Sequence, residues 1–261
     1  MKPSQLGIIA LGLAVSAVCV RLGVWQIARW HEKQRLNAAS AALLAAPVIT
    51  LGADPGPLDA VRGRRVMATG RFDERRQILL SLRAHDEAPG VEVVTPLVVK
   101  GGAAAILVDR GWLSADDGIS ARPEDCPEPG PRRVVGLAVE LPRPPALPPG
   151  AAAMRALRSD SIAVWSARGL APDSLAPRFP YPLAGWMLQE LPGPGVPGQP
   201  LGSPPRPLDE WTHVSYAAQW FLFAAIALAG PLVLARTRCR SPGRGGSGPE
   251  SVADPDPGRR G

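Results

Sequence analysis

The chain has 261 residues, 46% of them hydrophobic, 20% charged and 5% aromatic, which excludes a disordered polar polymer. Its 31 prolines and 28 glycines require long loops beside any packed core. The net charge of +6 does not mark a nucleic-acid binder, because residues 21–213 are close to neutral and no basic stripe with interleaved aromatics is present.

Taken from the N-terminus, Leu6 to Ile27 is apolar except for Ser16, Arg21 and Gln26, long enough to cross the roughly 30 Å hydrocarbon layer as a helix. Val15-Ser16-Ala17 resembles a signal-peptide cleavage site, but the apolar stretch continues through Val24, which a removed signal does not need, so a retained span is expected. Trp30 to Leu44 is rich in good helix formers and continues the helix towards Pro47. Beyond it, short β-favouring runs follow at Arg65 to Gly70, Gln77 to Leu82, Val91 to Val99, Ala104 to Leu113, Val134 to Leu141 and Gly185 to Glu190. Gly101-Gly102 reads as a hairpin turn between two of them. A helix is predicted near Ser161 to Arg168, capped by Ser159 or Asp160 and facing inward through Ile162 and Trp165. The segments Pro142 to Pro149 and Pro192 to Pro207 are too proline-rich for a sheet and read as loops. Val214 to Ala235 is a second apolar span, closed by Arg236, Arg238 and Arg240, and the tail beyond Ser241 has a disordered composition.

The expected fold class is therefore a membrane α+β protein: two transmembrane helices, 6–27 and 213–235, flank an antiparallel β-rich domain at 28–212, and a tail follows at 236–261. Two spans place both termini on one side of the bilayer. The arginines after the second span favour a cytoplasmic tail, hence a domain in the periplasm or, in an organelle, in the intermembrane space; Arg21, Arg29, Lys33 and Arg35 after the first span vote the other way. Trp25, Trp30, Trp211, Tyr216 and Trp220 fall near one interface. On this map Cys19, Cys126 and Cys239 occupy different compartments, so no intrachain disulfide is expected, and no Cys/His cluster suggests a bare metal ion.

Catalytic patterns are missing. No G-x-S-x-G, phosphate loop or H-E-x-x-H occurs, the pairs Asp73-Glu74 and Asp116-Asp117 read as solvated turns, and no enzymatic activity is expected. His213 stands at the mouth of the second span, where an imidazole can bond at the interface or offer a nitrogen to a metal. Ala217, Trp220 and Ala224 share its helical face, which reads as a slot for a flat ligand beside an aromatic wall. Arg29 and Lys33, four apart, suit lipid headgroups or acidic ligand groups, while Arg110 after Asp109 reads as a charge pair at a strand end.

Leu22-Gly23-Val24-Trp25-Gln26 with Arg29 and Lys33, Gly70-Arg71-Phe72, Thr95-Pro96-Leu97, Val108-Asp109-Arg110-Gly111-Trp112, and His213 with Tyr216-Ala217 and Gln219-Trp220 together resemble the Surfeit locus protein one family of cytochrome c oxidase assembly factors. The likeness runs in order from about residue 22 to 225; Trp211-Thr212 stand where family members commonly carry asparagines. The resemblance implies two membrane helices around an outer domain in the bacterial inner membrane. It also implies a role in maturing the oxidase's largest subunit, with transient holding of heme a and possible contact with the heme a synthase. It makes His213 the proposed iron ligand; beside it, Tyr216, Trp220, Arg29 and Arg110 are taken from their positions and chemistry as candidate heme contacts. Gly23, Trp25, Gln26, Lys33, Gly70, Asp109, Gly111 and Trp112 are carried over as motif positions. The alternative is a scaffold that binds no heme and stabilises an assembly intermediate.

Overall fold

The computed structural model describes residues 3–146, 152–158, 162–202, 205 and 207–239. The chain forms two compact units, Met1–Gln34 with Asp209–Gly261, and Arg35–Leu208.

The first unit is built from helices α1 (Pro3–Ala45), whose last turns belong to the second unit, and α3 (Trp211–Cys239). Both are long and apolar enough to cross a bilayer, with mean hydropathy reaching 2.1 within Leu6–Ala45 and 1.3 within Trp211–Pro231. Their outward faces carry exposed Leu11, Leu13, Val18 and Val24 on α1 and Leu222, Phe223 and Ile226 on α3. The inward side of α1 is a stripe of small or polar residues, Ser16, Cys19, Gly23 and Gln26, at alternating three- and four-residue spacing. Ser16, Cys19 and Gln26 are buried, as are Ala217 and Ala224 of α3, so small side chains let the two backbones approach closely. A Cβ on Gly23 would lie 2.8 Å from the Phe221 ring. Ala217 and Ala224, the small residues expected to leave space for a flat ligand, are 2% and 4% exposed.

The second unit contains β1 (Ile49–Thr50), β2 (Arg65–Phe72), β3 (Arg76–His85), β4 (Ala88–Val99), β5 (Ala105–Ser114), β6 (Pro131–Glu140), β7 (Met154–Arg158), β8 (Ala163–Ala167), the short helix α2 (Pro172–Leu175) and β9 (Leu183–Glu190). They form one sheet in the order β1-β2-β6-β9-β5-β4-β3-β8-β7, and a further β2–β4 pairing closes β2, β6, β9, β5 and β4 into a five-stranded barrel. Period-two alternation sends Val66 and Ala68, Leu97 and Val99, Ile106 and Val108, Val134 and Ala138, and Trp186 and Leu188 into its interior. The opposite faces of β4, β5 and β9 supply Val94, Leu107 and Met187 to a second core with Ile78, Leu80, Leu175 and Phe179. The prediction of six strands holds, including the β4–β5 hairpin, whose turn uses Gly101 at φ +76°.

Two expectations are corrected. The sheet is mixed, since β1–β2, β3–β8 and β5–β9 are parallel. The helix predicted for Ser161 to Arg168 is β8: buried Val164 and Ser166 alternate with half-buried Ala163 and Trp165, so period two prevails over the Ile162–Trp165 spacing. The proposed caps Ser159 and Asp160 lie outside the described residues, as does the tail beyond Cys239. Strand β7, Met-Arg-Ala-Leu-Arg, escaped prediction because it has no β-branched or aromatic residue.

Barrel closure depends on Gly70, where β2 meets β4: a Cβ there would fall 2.2 Å from the Val98 carbonyl oxygen. Gly70→Ala is therefore expected to cost about 2–3 kcal/mol, read as a lower urea midpoint for the full chain in detergent. An unchanged midpoint would mean that β2 and β4 need not approach so closely.

Candidate functional site

In the helical unit, Asp209 starts α3. Its carboxylate accepts from the Trp211 N–H at 3.0 Å and from the Thr212 hydroxyl. The Thr212 hydroxyl first, and the Trp211 N–H after it, hold the Asp209 carboxyl below its ordinary value. Lys33 of α1 donates to the Asp209 backbone carbonyl at 2.8 Å, tying α1 to the start of α3. His213 follows in the first turn of α3, half-buried, with Nδ1 2.7 Å from Oε1 of the buried Gln26. Nε2 makes no hydrogen bond among the described residues.

The other candidates on these helices divide by exposure. Trp25 and Tyr216 are about half exposed, whereas Trp220 is half-buried, edge-on to Phe223 at 5.9 Å. Arg29 pairs with Glu32 at 2.5 Å on the surface, an interaction weak enough to be exchanged for another anion. No group of three or more His, Cys, Asp or Glu among the described residues could hold a bare metal ion.

The second set of motif residues lies at one end of the barrel interior. Arg110, Glu190 and Arg132 continue the inward alternations of Ile106–Val108, Trp186–Leu188 and Val134, so the barrel's last layer is ionic. Arg110 is the extra residue of a β-bulge, with Asp109 opposite Val94 and Gly111 opposite Val93. Its Nε donates to Glu128 at 2.9 Å and its Nη2 to the Cys126 carbonyl at 2.5 Å, and its guanidinium carbon lies 5.3 Å from the Phe72 ring centre. Arg132 bridges Glu128 at 2.5 Å and lies 3.7 Å from Glu190. Gly111 sits at φ +121°, and a Cβ there would be 2.4 Å from the Leu201 carbonyl, which accepts from the Trp112 N–H at 2.8 Å. The Trp112 ring lies 5.5 Å from the His85 ring, tilted by 33°. Asp109 points to the other side of β5 and accepts from the Gly111 N–H at 3.0 Å.

Arg110 is 1% exposed, with Nε and Nη2 bonded to Glu128 and the Cys126 carbonyl and Nη1 buried without a hydrogen bond among the described residues. The side chain expected as a heme contact is thus enclosed as the counter-charge of Glu128. The sequence concealed this because Glu128, Arg132 and Glu190 lie far from Arg110 along the chain and resemble ordinary surface charges. Asp209, an acid just ahead of an apolar helical run, is the sequence signal of this helix start.

Burial raises the Glu190 carboxyl to about 7, aided by the Glu128 charge and opposed by Arg132 and Arg110. Burial and the Glu92 charge likewise raise Asp109 to about 7, against the Gly111 N–H and Arg83. A carboxyl raised in the folded state binds more protons there than in the unfolded chain. Each group therefore penalises folding increasingly as pH rises from its unfolded value towards about 7. Stability should fall from about pH 5 to about pH 8, and Glu190→Gln should remove up to about 3 kcal/mol of that slope in urea titrations at each pH; parallel profiles would refute it. Arg110→Ala should cost about 3–5 kcal/mol at neutral pH by leaving buried Glu128 without its partner, again read from the urea midpoint.

Comparison with known proteins gives a consistent result. The profile of the SURF1 family matches residues 13–225. The chain is 32% identical over 111 residues to a SURF1-like protein of Monosiga brevicollis, covering 39% of this chain and 42% of that one. It is 36% identical over 110 residues to Surfeit locus protein 1 of Arabidopsis thaliana, covering 37% and 31%. It is 29% identical over 112 residues to cytochrome oxidase assembly protein SHY1 of Saccharomyces cerevisiae, covering 41% and 29%. The matched region thus spans less than half the length of each of these relatives. With a family match covering both helices and the barrel strands between them, the chain belongs to the SURF1 family.

Proposed function

We propose that this chain is a membrane-anchored, non-catalytic assembly factor for a heme-copper cytochrome oxidase, holding heme a at His213 while the oxidase's largest subunit matures. Family membership and the likeness to a cytochrome oxidase assembly protein support the assembly role. On this reading α1 and α3 cross the bacterial inner membrane, the β-barrel unit lies in the periplasm, and both termini are cytoplasmic. The helix lengths, their exposed apolar faces and the arginines Arg236, Arg238 and Arg240 support that topology. The barrel unit would dock the oxidase subunit, with heme a synthase as a possible source of cargo.

The observation that carries the heme part is the free Nε2 of His213, held at the start of α3 by the bond from Nδ1 to Gln26. A single imidazole without a surrounding ligand cluster suits a metal that arrives with its own in-plane donors, as heme iron does. Bound there, heme a would be cargo rather than a reagent. His213 would ligate it, the rings of Tyr216 and Trp220 lie one and two turns further along α3, and Arg29 could exchange Glu32 for a propionate. One protein imidazole, against the two that commonly hold a low-spin heme, leaves a bond that can be surrendered on delivery.

The chain purified from cells making heme a should show a Soret band that His213→Ala removes or shifts. Equal heme content and spectra in the two proteins would end the ligand assignment and leave the scaffold that binds no heme. Reporter fusions within the barrel unit should be active only on the periplasmic side; cytoplasmic activity would refute the topology.

A further inference from the structure

We infer that Gln26 is the positioning residue of His213, its carboxamide selecting which imidazole nitrogen is free to bind a metal. The inference deepens the heme reading and rests on it.

Gln26 is 8% exposed, one turn beyond Gly23 in the seam of small residues on α1. A polar amide in such a seam is costly unless it finds a hydrogen-bond partner. The hydrogen bond that its side chain makes among the described residues is to His213, at 2.7 Å. Gly23 and Ala217 allow the approach, because each lies one turn from a member of the pair and neither fills the seam with a large side chain.

The direction of the bond follows from the groups. The amide oxygen can only accept, so with Oε1 towards the ring Nδ1 carries the proton. The lone pair then resides on Nε2, the nitrogen without a partner. This is the tautomer a metal requires, and a fixed acceptor behind the imidazole is the usual companion of a histidine ligand. Backbone carbonyls and carboxylates in that position only accept, whereas a carboxamide also offers an NH2 group. Turned over, Gln26 would donate to Nδ1 and favour the tautomer with its proton on Nε2, which offers no lone pair. A carboxamide therefore supports ligation without enforcing it, which suits a carrier better than a permanent cofactor site.

The test uses the full chain in nanodiscs. First, the heme-free protein with 15N-labelled histidine is examined by long-range proton–nitrogen correlation, His213 being identified by its loss in His213→Ala. The wild type should show the Nδ1–H tautomer, and Gln26→Leu should revert to the Nε2–H form favoured by free histidine in water. Second, hemin is titrated and followed in the Soret region. Gln26→Leu should weaken binding by about 10–100-fold, and Gln26→Glu should retain binding and slow hemin transfer to apomyoglobin.

An Nε2–H wild type overturns the inference whatever the Gln26 variants do. So does a Gln26→Leu protein whose tautomer or hemin affinity matches the wild type, or a Gln26→Glu protein that releases hemin faster. Failure of the heme reading has a different signature: His213→Ala then binds hemin as the wild type does, whatever the tautomer.

Discussion

A polar side chain enclosed away from water must be answered by another, and in both units of this chain that requirement determines which residues are brought together. In the helical unit the enclosed group is the Gln26 amide, answered by His213. In the barrel unit it is the Arg110 guanidinium, answered by Glu128 and the Cys126 carbonyl, with Arg132 and Glu190 completing the layer. These pairs bridge 187 and 18 residues of sequence respectively, so each pins one segment to another that no local propensity would bring near it.

The motif residues accordingly divide into two kinds. Gly70, Asp109, Arg110, Gly111 and Trp112 build the barrel: one lets two strands meet, one allows the bulge and the bridge to Leu201, and the others set the charge and the ring that the bulge directs to opposite sides. Gly23, Gln26, Lys33 and His213 join α1 to α3, through close approach, a hydrogen bond and a tie to Asp209. Trp25 and Tyr216 remain about half exposed on the helical unit.

The ionic layer differs in consequence from the seam. Buried ion pairs seldom add net stability compared with an apolar core, but removing one partner is severe. Glu190 illustrates the balance. Neither of its carboxylate oxygens accepts a hydrogen bond among the described residues, and burial alone favours its protonated form. A domain built this way has a stability that varies between about pH 5 and about pH 8.

Periodicity and composition by themselves determined the two apolar helices, six of the nine strands and the position of His213 at a helix mouth, because each is a local pattern of period 3.6 or 2. The remaining strands were too short, too poor in β-branched residues or too like a helix over five residues to be read. Only the tertiary structure decided that β2 and β4 close a barrel, that the Arg110 side chain is enclosed beside Glu128, and that Ala217 and Ala224 are buried. It also decided that Gln26 stands behind His213. Those outcomes depend on which distant segment occupies the neighbouring space, a property of packing that no single stretch of chain encodes.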